Sequence, residues 1–307
     1  MTMPAWQCIV QRIHLHPNRT EEKMKQDTPS LTAYRVALMR AAHQIYDNPT
    51  VFEDPVALAI IGPHGAAELR SKKRQLRTRL HSNLRAIVVA RSRLAEDALS
   101  EAVKCGVRQY VILGAGLDTF AYRNPYSALG LNIFEVDHPD TQEWKIKQLK
   151  AAAISIPENL TFTPVDFAKQ SLAGPLQKSG FDTNQPTFFS WLGVTMYLPA
   201  ASMLKTLQYI ASSTPSGSEV IFDYIIPPSS QGILRRVVFS LLSKKVGRAG
   251  EPWISFYDPD ALKTELKALG FTQLTDFGPE ELNSLFFKDR KDALRIGSFG
   301  HVMKAHS

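Results

Sequence analysis

Cysteine is nearly absent: Cys8 and Cys105 are the only two in 307 residues, with no Cys-x-x-Cys pair and no histidine cluster beside them. That excludes a disulfide framework and a zinc site of the usual spacing. Long apolar runs are missing too, and nothing approaches the roughly 20 uninterrupted residues a membrane span needs. At the N-terminus Cys8-Ile9-Val10 is too short for a signal peptide's apolar core, and Gln11-Arg12 follows at once. A cytoplasmic protein is the expectation. Aromatic residues are missing from the most basic stretch, Arg70 to Arg93, which also carries Lys72, Lys73, Arg74, Arg77, Arg79 and Arg85. Without aromatics, base stacking has no platform there. A solvated helix face is the expected reading, and much of the formal charge of +7 sits on it.

Residues 1–30 hold Pro4, Pro17 and Pro29 and no sustained period, so they read as a disordered extension in which Met24 is an alternative start. Helical patterning runs from Leu31 towards Tyr46. Asp54-Pro55 opens a short helix that stops at Gly62-Pro63. In the next helical stretch Leu76, Leu80, Leu84, Ile87, Leu94 and Ala98 share one stripe. Arg91 falls on it, and a charge on a buried face is costly unless paired. It either snorkels to the helix edge or meets a ligand anion.

From Gln109 the texture changes to short apolar runs: Tyr110–Leu113, Asn132–Val136, Leu160–Val165, Thr187–Leu192, Glu219–Ile226, Phe271–Phe277 and Ser298–Met303. Strands alternating with helices imply a mainly parallel sheet covered on both faces. Residues 227–250 are expected to form an inserted lid.

The chemistry gathers at three strand ends. Val111-Ile112-Leu113-Gly114-Ala115-Gly116-Leu117-Asp118-Thr119 is a buried strand entering a glycine turn, which lets backbone approach a ligand. A dinucleotide fingerprint would place a third glycine at Thr119, and Asp118 puts negative charge where a diphosphate needs positive dipole. A nucleoside without phosphates, such as S-adenosylmethionine (SAM), suits this turn better. Asp137 ends the second run, where an acid accepts hydrogen bonds from ribose hydroxyls, and Asp166-Phe167 follows the third, suited to an adenine amine and ring. One such acid would merely cap a helix. Three after successive strands read as a site.

With Val136-Asp137-His138-Pro139 and the Asp166 motif, the run Leu113–Thr119 resembles the leucine carboxyl methyltransferase superfamily, within it the bacterial branch of SAM-dependent O-methyltransferases. Thr32–Ala37, Phe52-Glu53-Asp54-Pro55, Val89-Ala90-Arg91-Ser92-Arg93, Phe188–Leu198, Gly250-Glu251-Pro252-Trp253 and Leu282–Phe287 are similar to further motifs of that branch. The resemblance implies a class I fold: a Rossmann-like, seven-stranded mixed sheet with its last strand antiparallel. It divides the chain into cap helices over 31–104 and a core over 105–307. By it, Arg91 holds the methionine carboxylate of SAM, and Gly114, Ala115 and Gly116 flank the methionine portion. Asp137 and His138 stand at the ribose, and Asp166 with Phe167 at the adenine. The leucine-specific enzymes end their fourth strand in a glutamate that contacts the cofactor. Gly193 occupies that place here, so that contact is absent.

The expected reaction is methyl transfer to an oxygen, carboxylate or hydroxyl, of a small molecule; a protein C-terminal carboxylate is an alternative acceptor. A carboxylate needs no base, whereas a hydroxyl would need one, for which Tyr197 and His138 are the candidates. His43 and Tyr46, in the cap, are candidates to meet the acceptor. Three rivals stand beside this reading. One is a SAM-binding protein made inactive by Gly193, and another an RNA methyltransferase using residues 70–93. The third is a nicotinamide enzyme, which Asp118 and Thr119 argue against.

Overall fold

The computed structural model describes residues 30–167, 169–228 and 252–307. The N-terminal extension with Met24, nearly all of the expected lid and the Gly250-Glu251 half of one motif lie outside the described residues. Helix α1 (Leu31–Tyr46) starts where Ser30 Oγ accepts from Ala33 N. Short helices α2 (Ala57–Ile60), α3 (Gly62–Ser71) and α4 (Lys73–Leu76) follow, then the long α5 (Arg79–Lys104). Gly62-Pro63 therefore starts a helix as well as ending one. Pro63 sits in the first turn of α3, where its missing N–H leaves no bond unmade.

Beyond α5 the chain alternates between strand and helix. Strands β1 (Gln109–Leu113), β2 (Asn132–Asp137) and β3 (Leu160–Pro164) are followed by β4 (Thr187–Trp191) and β5 (Glu219–Ile225). Helices α6 (Pro139–Ala151), α7 (Ala173–Lys178) and α8 (Ala200–Ser213) fall between strands. The described chain closes with α9 (Pro259–Ala268), β6 (Gln273–Phe277), α10 (Pro279–Phe286) and β7 (Gly300–His306). The seven strands form one sheet in the order β3-β2-β1-β4-β5-β7-β6, and β7 alone runs against its neighbours. All seven apolar runs became strands. The last extends to His306 rather than Met303, because β7 is paired with β5 from Gly300 to His306 and with β6 from Val302 to His306. The strand order reverses between β1 and β4. Above that switch point their carboxyl ends part and leave a crevice.

Helix α5 departs from its expected orientation. Its smaller side chains, Ala86, Val89, Ala90, Ala95, Ala98 and Ala102, pack on the sheet in one cluster with Tyr110, Ile133, Phe188 and Ile221. Small residues let helix and sheet approach closely, so the alanine face wins the core. Of the leucine stripe, Leu80, Leu84 and Ile87 line a cavity, while Ile87 and Leu94 also pack at the edge of that cluster and Ala98 belongs to it. Hence α5 belongs to the sheet's own layer. The packed cap is α1 to α4, whose Ala37, Leu38, Ala41, Ile60, Leu69 and Leu76 meet Leu117 and Leu149.

Arg85 is not on a solvated face. It is 2% exposed, and its Nε and Nη2 donate to the two oxygens of Asp47 at 2.5 and 2.7 Å. His43 is buried on the same carboxylate, with Nδ1 2.8 Å from Asp47 Oδ2, while its Nε2 accepts from Val51 N. Tyr46 donates to the Leu69 carbonyl. Both make these bonds inside the cap, and neither is among the residues lining the two cavities described below.

Candidate active site

The turn after β1 explains its two glycines directly. Gly114 has φ +65°, and a Cβ there would collide with Val194 Cγ2. Gly116 has φ +47°, and its Cβ would press on Ala33 of α1 at 3.0 Å. Only glycine takes this path without strain. Past the turn the chain makes a short 3-10 turn, Phe120–Arg123, in place of an α-helix.

Asp137 fixes the turn from below. Its Oδ2 accepts from Gly116 N at 2.5 Å and its Oδ1 from His138 N at 2.6 Å. Burial raises its carboxyl above the ordinary value, and the two backbone donors work against that rise. Each oxygen keeps acceptor capacity beyond these bonds. The cap is anchored here as well: Asp54 accepts from Thr119 Oγ1 at 2.7 Å and pairs with Arg40 Nε at 3.1 Å, while Arg40 also donates to the Leu117 carbonyl. The Phe52–Pro55 motif thus positions the glycine turn from outside the sheet.

A cavity of about 430 Å³ opens over this turn. It is lined by Gly114, Ala115 and Gly116, by Asp137 and His138, by Asp166 and Phe167, and by Arg91 and Gly193. All nine residues expected around the cofactor face one space. His138 caps α6, its Nδ1 accepting from Asp140 N, and its Nε2 lies 3.9 Å from Asp166 Oδ2. It belongs to the side where β2 and β3 end. Asp166 also meets Lys169 Nζ at 2.8 Å, and the Phe167 ring packs 6.2 Å from Trp191.

A second cavity, of about 420 Å³, lies on the other side of Arg91. Thr32, Val36, Arg91, Gly193 and Tyr197 line both, so the two spaces share a boundary. Arg91 is 6% exposed, and its Nη1 donates to Asp223 Oδ2 at 2.5 Å. Among the described residues Nε and Nη2 have no protein partner. The other Asp223 oxygen accepts from Gly193 N at 2.5 Å. Gly193 has φ +78°, and a Cβ on it would come 2.6 Å from Arg91 Nη2. Glycine is therefore what leaves room for the guanidinium. Asp223 escaped the sequence reading, although an acid inside the apolar run Glu219–Ile226 was the available signal. Tyr197 Oη, on the boundary, accepts from Trp253 Nε1 at 3.2 Å.

A family model described as leucine carboxyl methyltransferase matches residues 33–211. The "Putative S-adenosyl-L-methionine-dependent methyltransferase YktD" of Bacillus subtilis is 34% identical over 304 residues, covering 92% of this chain and 99% of that one.

The chain belongs to the leucine carboxyl methyltransferase family.

It is a SAM-dependent methyltransferase. Another relative, from Mycobacterium marinum and named in the same way, is 31% identical over 205 residues, covering 65% of this chain and 67% of that one. A DUF574 family protein from Streptomyces avermitilis shares the fold, with a TM-score of 0.54 at 15% identity over 89% of this chain and 97% of that one. The methyltransferase's residues fit its cofactor chemically. Glycine turn, buried acid, second acid with an aromatic neighbour, and arginine face one cavity, and each answers a different part of a nucleoside-linked amino acid.

Proposed function

We propose that this methyltransferase esterifies the carboxylate of a small, largely apolar molecule held in the second cavity. The observation that carries the proposal is the shared boundary. Of its five residues, Thr32, Val36, Arg91, Gly193 and Tyr197, none is a histidine or a carboxylate, and the one carboxylate beside them that lines the second cavity, Asp223, is held by Arg91 Nη1 and Gly193 N. A hydroxyl acceptor would call for a base near neutral pH at that boundary, whereas a carboxylate is already ionised.

Bound SAM supplies a methyl group on a sulfonium, so a carbon–oxygen bond forms as carbon–sulfur breaks and no proton has to move. The chain's own work is holding and drying. Asp137 receives the ribose hydroxyls on lone pairs its backbone donors leave over. Asp166 and Phe167 take the adenine side. Arg91, fixed by Asp223, turns Nε and Nη2 to a carboxylate. Val36 and the apolar wall beyond exclude water, which raises the effectiveness of alignment. His138, on the nucleoside side, orients and caps.

Two rival readings lose their sequence motive. Gly193 has a packing reason, room for Arg91, and so is no mark of lost activity. Arg85 and Arg91 of the basic stretch are buried and ion-paired, which weakens the case for an RNA surface. The test is the product bond. Methyl groups transferred from labelled SAM to a cell-extract acceptor pool should be released as methanol by mild alkali. An alkali-stable product would sink the carboxylate acceptor.

A further inference from the structure

Leu80, Leu84 and Ile87 are large and apolar, yet all three stay part-exposed on one face of α5. A contiguous apolar strip of this kind marks a groove that a ligand covers. The three side chains line the second cavity, and its lining follows α5 for three turns. Leu80 stands eleven positions before Arg91, about 16 Å of helical rise. Val88 joins the strip, and Val36 and Met39 of α1 line the same space. Arg91, which also lines the cofactor's cavity, marks one end. Away from it, where α4 gives way to α5, Gln75 and His81 line the cavity, so its apolar wall ends in polar side chains. Length and volume then agree on what fits. An extended chain advances about 1.2 Å per bond, a third of a residue's reach, so the strip takes about thirteen bonds. The cavity's volume, about 420 Å³, holds about fourteen groups of roughly 30 Å³, a water's share of the liquid and near that of a methylene. A single file of carbons thus uses up the space and leaves little for rings or branches.

We propose that the acceptor is an unbranched aliphatic acid of about twelve carbons, with its carboxylate at the shared boundary and its chain laid along the leucine strip of α5. One carboxylate oxygen bonds to the methyl carbon as the carbon–sulfur bond breaks. The carboxylate's charge and the sulfonium's cancel, and the products are a neutral methyl ester and S-adenosylhomocysteine. The inference rests on the second cavity being the acceptor's, and it adds the shape and length of the chain to that reading.

Calorimetry on the full chain saturated with S-adenosylhomocysteine tests this, with the straight-chain acids from hexanoate to hexadecanoate as probes. Affinity should rise about two- to four-fold with each methylene and level off at about twelve to fourteen carbons. Adamantane-1-carboxylate, which has the carbon count of undecanoate in a compact cage, should bind more weakly than undecanoate. Leu84 lies seven positions before Arg91, so Leu84→Trp should bring the plateau down to about eight carbons. Leu80→Trp, at the far end of the strip, should leave it within about two carbons of the wild type. S-adenosylhomocysteine affinity should stay at the wild-type value in both variants, which also reports on folding. No gain with chain length, a plateau already at hexanoate, parity of the cage with undecanoate, or one plateau shared by both tryptophan variants would overturn the inference. If 1-alkanols showed this length dependence and the acids did not bind, the chain would stand and the carboxylate reading would fall.

Discussion

Arg91 shows how a single side chain can be misjudged from spacing alone. Its position on the apolar stripe left two outcomes open, a snorkelling residue or a ligand's partner. The structure adds a third participant, Asp223, which reaches it from β5 and also ties down Gly193. A pairing 132 residues apart leaves no local pattern, so only the oddity of an acid in a buried strand pointed to it. Asp137 was the opposite case, since an acid closing the second strand is visible in the sequence. Its bonds to Gly116 N and His138 N were not, because they depend on how the turn folds back. Asp137→Ala is expected to weaken SAM binding by about 1.5–3 kcal/mol, the range for losing hydrogen bonds to a charged group. Calorimetry on the folded variant checks this, and wild-type affinity would remove Asp137 from the site.

At the scale of elements, the strands were legible because buried parallel strands read as short continuous apolar runs. Helix α5 was legible in extent but not in orientation. Leucines mark a hydrophobic stripe more loudly than alanines, yet it is the alanine face that packs on β1, β4 and β5. The basic stretch misled in a similar way, since Arg85 lies among exposed cations and finds its partner Asp47 only through the cap. A further buried pair links β2 to α6: Lys145 Nζ lies 2.6 Å from Glu135 Oε2, both essentially without exposure. Burial pushes the Glu135 carboxyl from its ordinary 4.5 up to about 7, with the Lys145 ammonium opposing the rise. Lys145→Met should cost about 3–5 kcal/mol of stability, because it leaves an uncompensated buried charge. A carboxyl raised in the folded state contributes stability fully below its ordinary value and loses it as pH rises through the folded one. The deficit of Lys145→Met against wild type should therefore be steady up to about pH 7, where the folded carboxyl is protonated in both, and widen in the range above it, where only the wild type's ionises beside its ammonium. Denaturant unfolding across that range checks it, and the double variant Glu135→Leu/Lys145→Met should recover most of the loss. A deficit that does not change with pH would mean that Glu135 is not the charge left exposed to the cost.

For the whole molecule, the fold places the ends of β1, β2, β3 and β4 around one cavity and hangs the cap helices over a second. No described helix is long and apolar enough to cross a membrane. The first cavity was readable because its residues stand in motifs. The second was not, since its walls come from α1, α3, α5 and the segment before β7, and no local pattern announces a space between them. The account turns on these cavities meeting at Arg91, Gly193 and Tyr197. The most direct measurement is a crystal structure of the full chain with S-adenosylhomocysteine. The nucleoside should lie over Gly114–Gly116 with its ribose hydroxyls on Asp137, and the sulfur should sit at the shared boundary, facing the apolar cavity. A sulfur pointing away from that boundary, or a ribose beyond reach of Asp137, would contradict the account.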